Sequence, residues 1–273
     1  MIAIIYQNVR PVFLLFALHF AILTCFVSPK LESATPEEMG LEIARKADLR
    51  DEGFENFTAQ QTMVLRNKHG QESQRQLRVK ILEIPEDGNK SLFVFDSPRD
   101  VQGTALLIHS HKEAPDDQWL YLPALKRVKR ISSSNRSGSF MGSEFAYEDL
   151  TAQEVEKFTY RYLRDEPCGK LTCTVSERFP VDKESGYRRQ LVWLDQDELR
   201  FWKIQYYDRK DAHLKTLTFE NYEQYLSKFW RAGLMKMVNH LTGKSTTMTW
   251  ANYQFRTDLD DRDFTKTGLR RAR

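Results

Sequence analysis

The chain of 273 residues carries 41 basic and 38 acidic side chains, a formal net charge of +3, with both signs mixed along its length. That balance leaves no excess of positive charge to hold a nucleic acid, so no such partner is expected. Past residue 30 no apolar stretch approaches membrane-spanning length, so roughly 240 residues must fold in water around their own core, an ordinary size for one all-β domain.

The first ten residues contain one charge, Arg10, and from Val12 to Val27 only His19, Thr24 and Cys25 interrupt Phe, Leu, Ile, Ala and Val. This run is shorter than the roughly 20 residues that cross a hydrocarbon core, and Ser28, Pro29 and Lys30 end it. It reads as an export signal over residues 1–34, cleaved between Ser28 and Thr35, with a single domain over 35–273 in the bacterial periplasm. Ile22-Leu23-Thr24-Cys25 approaches a lipoprotein cleavage box. Thr24 is bulkier than the Gly, Ala or Ser usual before such a Cys, so ordinary cleavage is expected and an acylated outer-membrane form is the alternative.

From Thr35 to Asp51 the apolar residues Met39, Ile43, Ala44 and Ala47 recur at three- and four-residue spacing. Thr35 suits the N-cap, Pro36 the first turn, and Glu37 and Glu38 the positive end of the dipole, so a helix is predicted up to Gly53.

From Phe54 the period changes to two, and breaks fall about every ten residues, as in a meander of antiparallel strands. Phe57 to Leu65 and Leu77 to Ile81 alternate up to turns at Asn67–Gly70 and Pro85–Asn89. Leu92–Phe95 and Gly103–Ser110 follow, and Trp119–Leu122 opens a fifth strand that runs past Pro123 to Ile131. Residues Ser132 to Leu150, with three consecutive serines, two glycines and isolated aromatics, have no period and read as a long mobile loop. Strands resume at Lys157–Leu163, Leu171–Phe179, Arg188–Leu194, Leu199–Tyr207, His213–Tyr222, Phe229–Asn239 and Ser245–Phe255. The fold predicted is mainly β: about 11–12 antiparallel strands curl into an unclosed barrel, with the N-terminal helix and the long loop over the concave face.

Cys168 and Cys173 flank a Gly169-Lys170 turn and can pair across a hairpin, which suits an oxidising compartment. Two free thiols are the alternative. A zinc site fails for want of a second ligand pair.

No Gly-x-Ser-x-Gly, His-Glu-x-x-His or phosphate-binding loop occurs, and an enzyme is not expected. His109 and His111 lack a third ligand, and Asp116-Asp117, Glu148-Asp149 and Asp260-Asp261 read as solvated turns rather than catalytic carboxylates. No metal or cofactor is expected. The basic run Lys126, Arg127, Lys129 and Arg130 suits anionic headgroups or an acidic partner, or simply an edge strand protected by charge. Five Trp, eleven Tyr and seventeen Phe are the more telling content. Trp202, Ile204 and Tyr206 are placed on one face by strand alternation, as are Met248 with Trp250 and Trp119 with Tyr121. With Met235 and Met237 they suit an adaptable apolar lining.

Three stretches carry a resemblance: Val101 to Leu107 (VQGTALL), Gln118 to Ile131 (QWLYLPALKRVKRI) and Ser139 to Leu150 (SFMGSEFAYEDL). With the single helix and Phe54-Glu55-Asn56-Phe57 before them, they resemble the LolA-like outer-membrane lipoprotein-sorting proteins, in the branch associated with inner-membrane RND-type exporters. The resemblance implies an open barrel whose aromatic concave surface shelters acyl chains under a helical lid, carrying lipid or lipoprotein between the membranes as a monomer. Candidate cavity or gate residues are Trp119, Tyr121, Phe140, Met141, Phe145, Trp202, Tyr206 and Trp250, the loop Ser132–Leu150 being the gate. A second reading makes the chain a non-enzymatic accessory or sensor docked to an RND-type transporter through the strand around Val128.

Overall fold

The computed structural model describes residues 33–271, and the export signal and Cys25 fall outside the described residues. Thr35 opens helix α1 (Pro36–Asp51) as predicted. Its hydroxyl accepts the Glu38 N–H at 3.2 Å, and the Glu38 carboxylate accepts the Thr35 N–H at 2.8 Å, so two backbone donors at the helix start are satisfied reciprocally.

Two meanders follow. The first is β1 (Asn56–Arg66), β2 (Glu72–Leu82), β3 (Lys90–Ser97), β4 (Ala105–His109), β5 (Asp117–Leu122) and β6 (Arg127–Arg130). The second is β7 (Phe158–Cys168), β8 (Leu171–Pro180), β9 (Tyr187–Asp195), β10 (Phe201–Asp208), β11 (His213–Tyr225), β12 (Phe229–Asn239) and β13 (Ser245–Phe255). Antiparallel pairing of β13 with β1, with Met63 opposite Met248, joins them into one 13-stranded sheet. Its two ends, β6 and β7, do not pair with each other, so the barrel is unclosed as predicted. The extra strand comes from Pro123. A 3-10 turn at Pro123–Leu125, with Lys126 at φ 48, reverses the chain, and Val128 returns opposite Tyr121 instead of prolonging β5. Proline supplies no N–H to a ladder, which favours a break there.

The concave face gathers Leu77, Val79, Phe93, Phe95, Leu106 and Ile108 from the first meander with Val192, Leu194, Ile204, Leu217 and Met237 from the second in one apolar cluster. The convex face of β3–β5 is also covered: Leu92, Val94, Ala105 and Leu107 pack under Phe264 and Leu269 of the C-terminal segment, which ends in the short helix α2 (Lys266–Leu269). Burial on both faces explains why β3 and β4 read as continuous apolar runs rather than alternating ones.

The segment 132–150, predicted to be mobile, is instead a pinned plug. Phe140 and Phe145 are buried in the concave cluster. Ser139 bridges Ala146, Glu144 N–H donates to Thr246 Oγ1 at 2.9 Å, and Gln118 Nε2 donates to the Tyr147 carbonyl at 2.8 Å. Isolated aromatics without a period here are anchors dropped into a core made by other strands.

Candidate functional site

Helix α1 lies along β7 and reaches β12 with its last turn. Gly40 permits the close approach: a Cβ there would stand 2.8 Å from Tyr162 N and 2.9 Å from the Arg161 backbone. Beyond Gly40 the helix turns Ile43, Ala44, Ala47 and Asp48 toward the sheet. Its end is strapped down by Arg50 with Glu198, by Arg231 with Asp51 at 2.5 Å, and by Lys228 donating to the Glu52 carbonyl. Gly53 and Glu55 then donate to the two Glu83 carboxylate oxygens, both at 2.7 Å.

Beneath the helix the concave face is not filled. A cavity of about 270 Å³ lies between α1 and β8–β10, walled by Ile43, Ala44, Ala47, Val192, Leu194 and Phe201, with Asp48, Glu154, Ser176 and Arg178 among its polar members. A second cavity of about 350 Å³ is walled by Phe57, Ile81, Phe219, Met235, Trp250 and Tyr253. Ala47, Asp51, Phe54 and Phe201 belong to both walls, so the two are adjoining lobes under the second half of α1. Mostly apolar walls with a few polar groups are the ordinary make-up of a small-molecule site, and each lobe is near the lower end of the usual volume range. Two polar atoms in these walls, Ser176 Oγ and Trp250 Nε1, are buried without a hydrogen-bond partner. Buried polar groups are almost always paired, so orphans in a cavity wall call for a partner.

The acids around the space are perturbed by burial. Burial raises Asp51 despite its Arg231 partner, and burial followed by the charge of Glu52 raises Asp48. Glu154 goes further, to about 7, through burial and then the charge of Asp48.

Of the candidate cavity or gate residues, Trp250 alone stands in the wall of either lobe, and Met235, also expected in the lining, joins it in the second. Phe140, Met141, Phe145 and Tyr206 are on the concave side but belong to the packed core around the plug. Trp119 and Tyr121 do share a face, but it is the convex one, under Phe264 and Leu269. Trp202 does not share the face of Ile204 and Tyr206. The ladder to β9 shifts between Phe201 and Lys203, and this bulge turns Trp202 outward beside Cys173, Val175 and Trp193 while Phe201 enters the cavity wall. Ile43 and Ala47 had a legible signal in the helical stripe. Phe201 and Phe219 had none, since their neighbours in space are far away in sequence.

Cys168 and Cys173 are joined by a disulfide across the β7–β8 turn. Lys126, Arg127, Lys129 and Arg130 lie on or beside β6, at the free edge of the sheet and away from both lobes, with Leu125 next to them 68% exposed. His109 meets the Phe264 carbonyl and His111 meets Asp87, so they serve different neighbours. Among the described residues no group of three or more His, Cys, Asp or Glu gathers in a way that could hold a metal ion. Glu148-Asp149 is not a solvated turn. Glu148 holds Ser185 and the Gly186 N–H, and Asp149 pairs with Lys215 at 2.6 Å and accepts from Tyr187 at 2.7 Å, which fixes the plug.

A family model described as an uncharacterized protein matches residues 87–271. Among solved structures, a domain from Vibrio parahaemolyticus assigned as an outer membrane lipoprotein-sorting protein is 54% identical, with a TM-score of 0.84 over 86% of this chain and 99% of that one. The chain belongs to the outer-membrane lipoprotein-sorting family. A DUF1329 family protein from Desulfovibrio piger is 30% identical, with a TM-score of 0.82 over 86% of this sorting-family chain and all (100%) of that one. A LolA superfamily protein from Nitrosomonas europaea, 22% identical with a TM-score of 0.67 over 86% and 99% of the two chains, shares the fold. No curated protein matches the sequence.

Proposed function

We propose that this protein is a periplasmic carrier that shelters the acyl chains of a lipid or lipoprotein in the two-lobed space under α1, for transport between the inner and outer membranes. The observation that carries the reading is an apolar, unfilled space at the mouth of an open barrel, in a chain of the lipoprotein-sorting family. Moving an acyl chain through water costs about 0.8 kcal/mol per CH₂, and a wall of Ile43, Ala47, Phe57, Phe219 and Met235 removes most of that cost. In this reading residues 1–34 are the export signal, residues 35–273 form one monomeric binding domain, and the protein has no catalytic role. Mass spectrometry of the mature protein purified from envelope extracts tests it. A stoichiometric lipid or acylated peptide is expected, and absence of any bound lipid together with no uptake of acylated probes overturns it.

A second reading is favoured by the β6 edge, where Leu125 stands exposed among Lys126, Arg127, Lys129 and Arg130 on a strand with one unpaired side. It is a surface for an accessory role at an inner-membrane RND-type transporter. Crosslinkers placed at Lys126 and Lys129 in cells should trap a membrane protein, and trapping none removes this reading.

A further inference from the structure

The lipid-cavity reading leaves one buried charge unexplained. Arg178 points from the concave side of β8 into the first lobe and is 4% exposed. Its Nε donates to Gln190 Oε1 at 2.8 Å, its Nη2 to Gln153 Oε1 at 3.0 Å, and the guanidinium lies 4.2 Å from the centre of the Phe158 ring. All of these partners are uncharged, and among the described residues no carboxylate comes within ion-pair distance of it. Asp149, whose charge reaches it, is engaged by Lys215. Arginine cannot discard its proton to escape this position, and a buried charge without a counter-ion is costly.

Two positions earlier on the same face of β8 stands Ser176, 6% exposed, whose Oγ is the orphan noted above. Strand alternation brings residues i and i+2 to one side, so a spare guanidinium edge and a free hydroxyl look into the same lobe. The acids on that lobe do not supply the missing anion. Asp51 is held by Arg231, Asp87 by His111, Glu83 by two backbone N–H groups, and Glu52 is exposed at the end of α1 and not paired with Arg178. Asp48 and Glu154 are driven toward their neutral forms by burial.

Resting on the carrier reading, we propose that Ser176 and Arg178 form an anion-recognition pair that seats the carboxylate or phosphate head of an amphiphile in the first lobe, with its chain running under α1 into the second. Charge-assisted bonds from a guanidinium to carboxylate or phosphate are the strong ones, and a dry apolar wall strengthens them. The cargo is then selected by its head as well as by its chain.

The mature protein, stripped of lipid, is titrated with oleate, oleyl phosphate, oleyl alcohol and inorganic phosphate against a fluorescent fatty-acyl probe. At least one oleyl anion is expected to bind about tenfold tighter than the alcohol. Arg178→Gln collapses that ratio toward one, Arg178→Lys keeps part of it, and Ser176→Ala lowers it several-fold. Equal binding of alcohol and anions by the parent protein, or an undiminished preference in Arg178→Gln, overturns the proposal while leaving the carrier reading intact. If Arg178→Gln does not fold, the parent ratio and Ser176→Ala decide the matter. Displacement of oleyl phosphate by an equal concentration of inorganic phosphate assigns the site to free phosphate and also overturns it. Binding of none of the oleyl compounds removes the carrier reading and this proposal together.

Discussion

Lys215 and Asp149 meet at 2.6 Å with side chains 5% and 2% exposed, and Lys215 also donates to the Glu144 carbonyl at 2.9 Å. Removing one member leaves the other charged and buried, so Lys215→Met should cost about 3–5 kcal/mol, read as a lower urea midpoint. Because Asp149 also accepts the Ala146 N–H at the start of a second 3-10 turn, Tyr147–Leu150, the plug should loosen first, visible as faster amide exchange near Phe140 and Phe145. Glu154 gives the opposite sign. Its carboxyl titrates at about 7 in the folded protein against 4.5 for the ordinary group, so the folded state holds the proton more tightly. Stability from this group is greatest below 4.5, falls as pH rises through 7, and its loss is complete above that. Glu154→Gln cannot ionise and should melt higher than the parent above pH 7, with the advantage vanishing below 4.5. A melting difference that stays constant with pH would refute the assignment.

At the scale of elements, α1 covers the cavity only because it lies close against β7. In a free helix Gly40→Ala would gain about 1 kcal/mol from propensity. Here the new Cβ meets the backbone of Arg161 and Tyr162 at 2.8–2.9 Å, and backbone cannot swing aside. The substitution should therefore destabilise by about 1–3 kcal/mol and displace the helix from β7. Chemical denaturation checks the sign, and a stabilised variant would show that the helix does not sit where it is described. The same contact protects an edge strand, since β7 has no neighbour beyond it in the sheet and α1 covers it instead. The edge at β6 is short and basic, another way to discourage unwanted pairing.

For the whole molecule, filling and emptiness are divided by the crossing segment. The plug closes the concave space around Phe95, Phe140 and Tyr147, and open volume survives beneath α1. If the carrier reading holds, access to that volume is controlled by the strap at the end of α1. Arg231 pairs with Asp51 and also lies 5.3–5.9 Å from the ring centres of Phe54, Phe57, Phe229 and Phe255. Arg231→Gln removes the ion pair that ties Asp51, at the end of α1, to β12, so α1 should open more often and a bound acyl probe should leave about tenfold faster, the equivalent of one charged hydrogen bond. Stopped-flow release measures it directly. An unchanged rate would move the gate to another part of the mouth.

The sequence by itself determined what is local. Thr35, Pro36 and Glu38 specify the start of α1 because cap and donor are three residues apart, and alternation between turn residues specifies hairpins because each strand pairs with the next. Cys168 and Cys173 were legible as possible partners because they face each other across one turn. Tertiary structure decided which side of each strand is inside. A period of two gives two faces and no label for either, and β3 to β5 are buried on both because Phe264 and Leu269, more than a hundred residues later in the chain, return to cover the outer one. One inserted residue in β10 exchanged Trp202 for Phe201 at the cavity wall, and nothing in the local pattern marks the bulge. The cavity is assembled from α1 and from strands at both ends of the sequence, so its walls, and the absence of a counter-ion for Arg178, exist only once the sheet has curled.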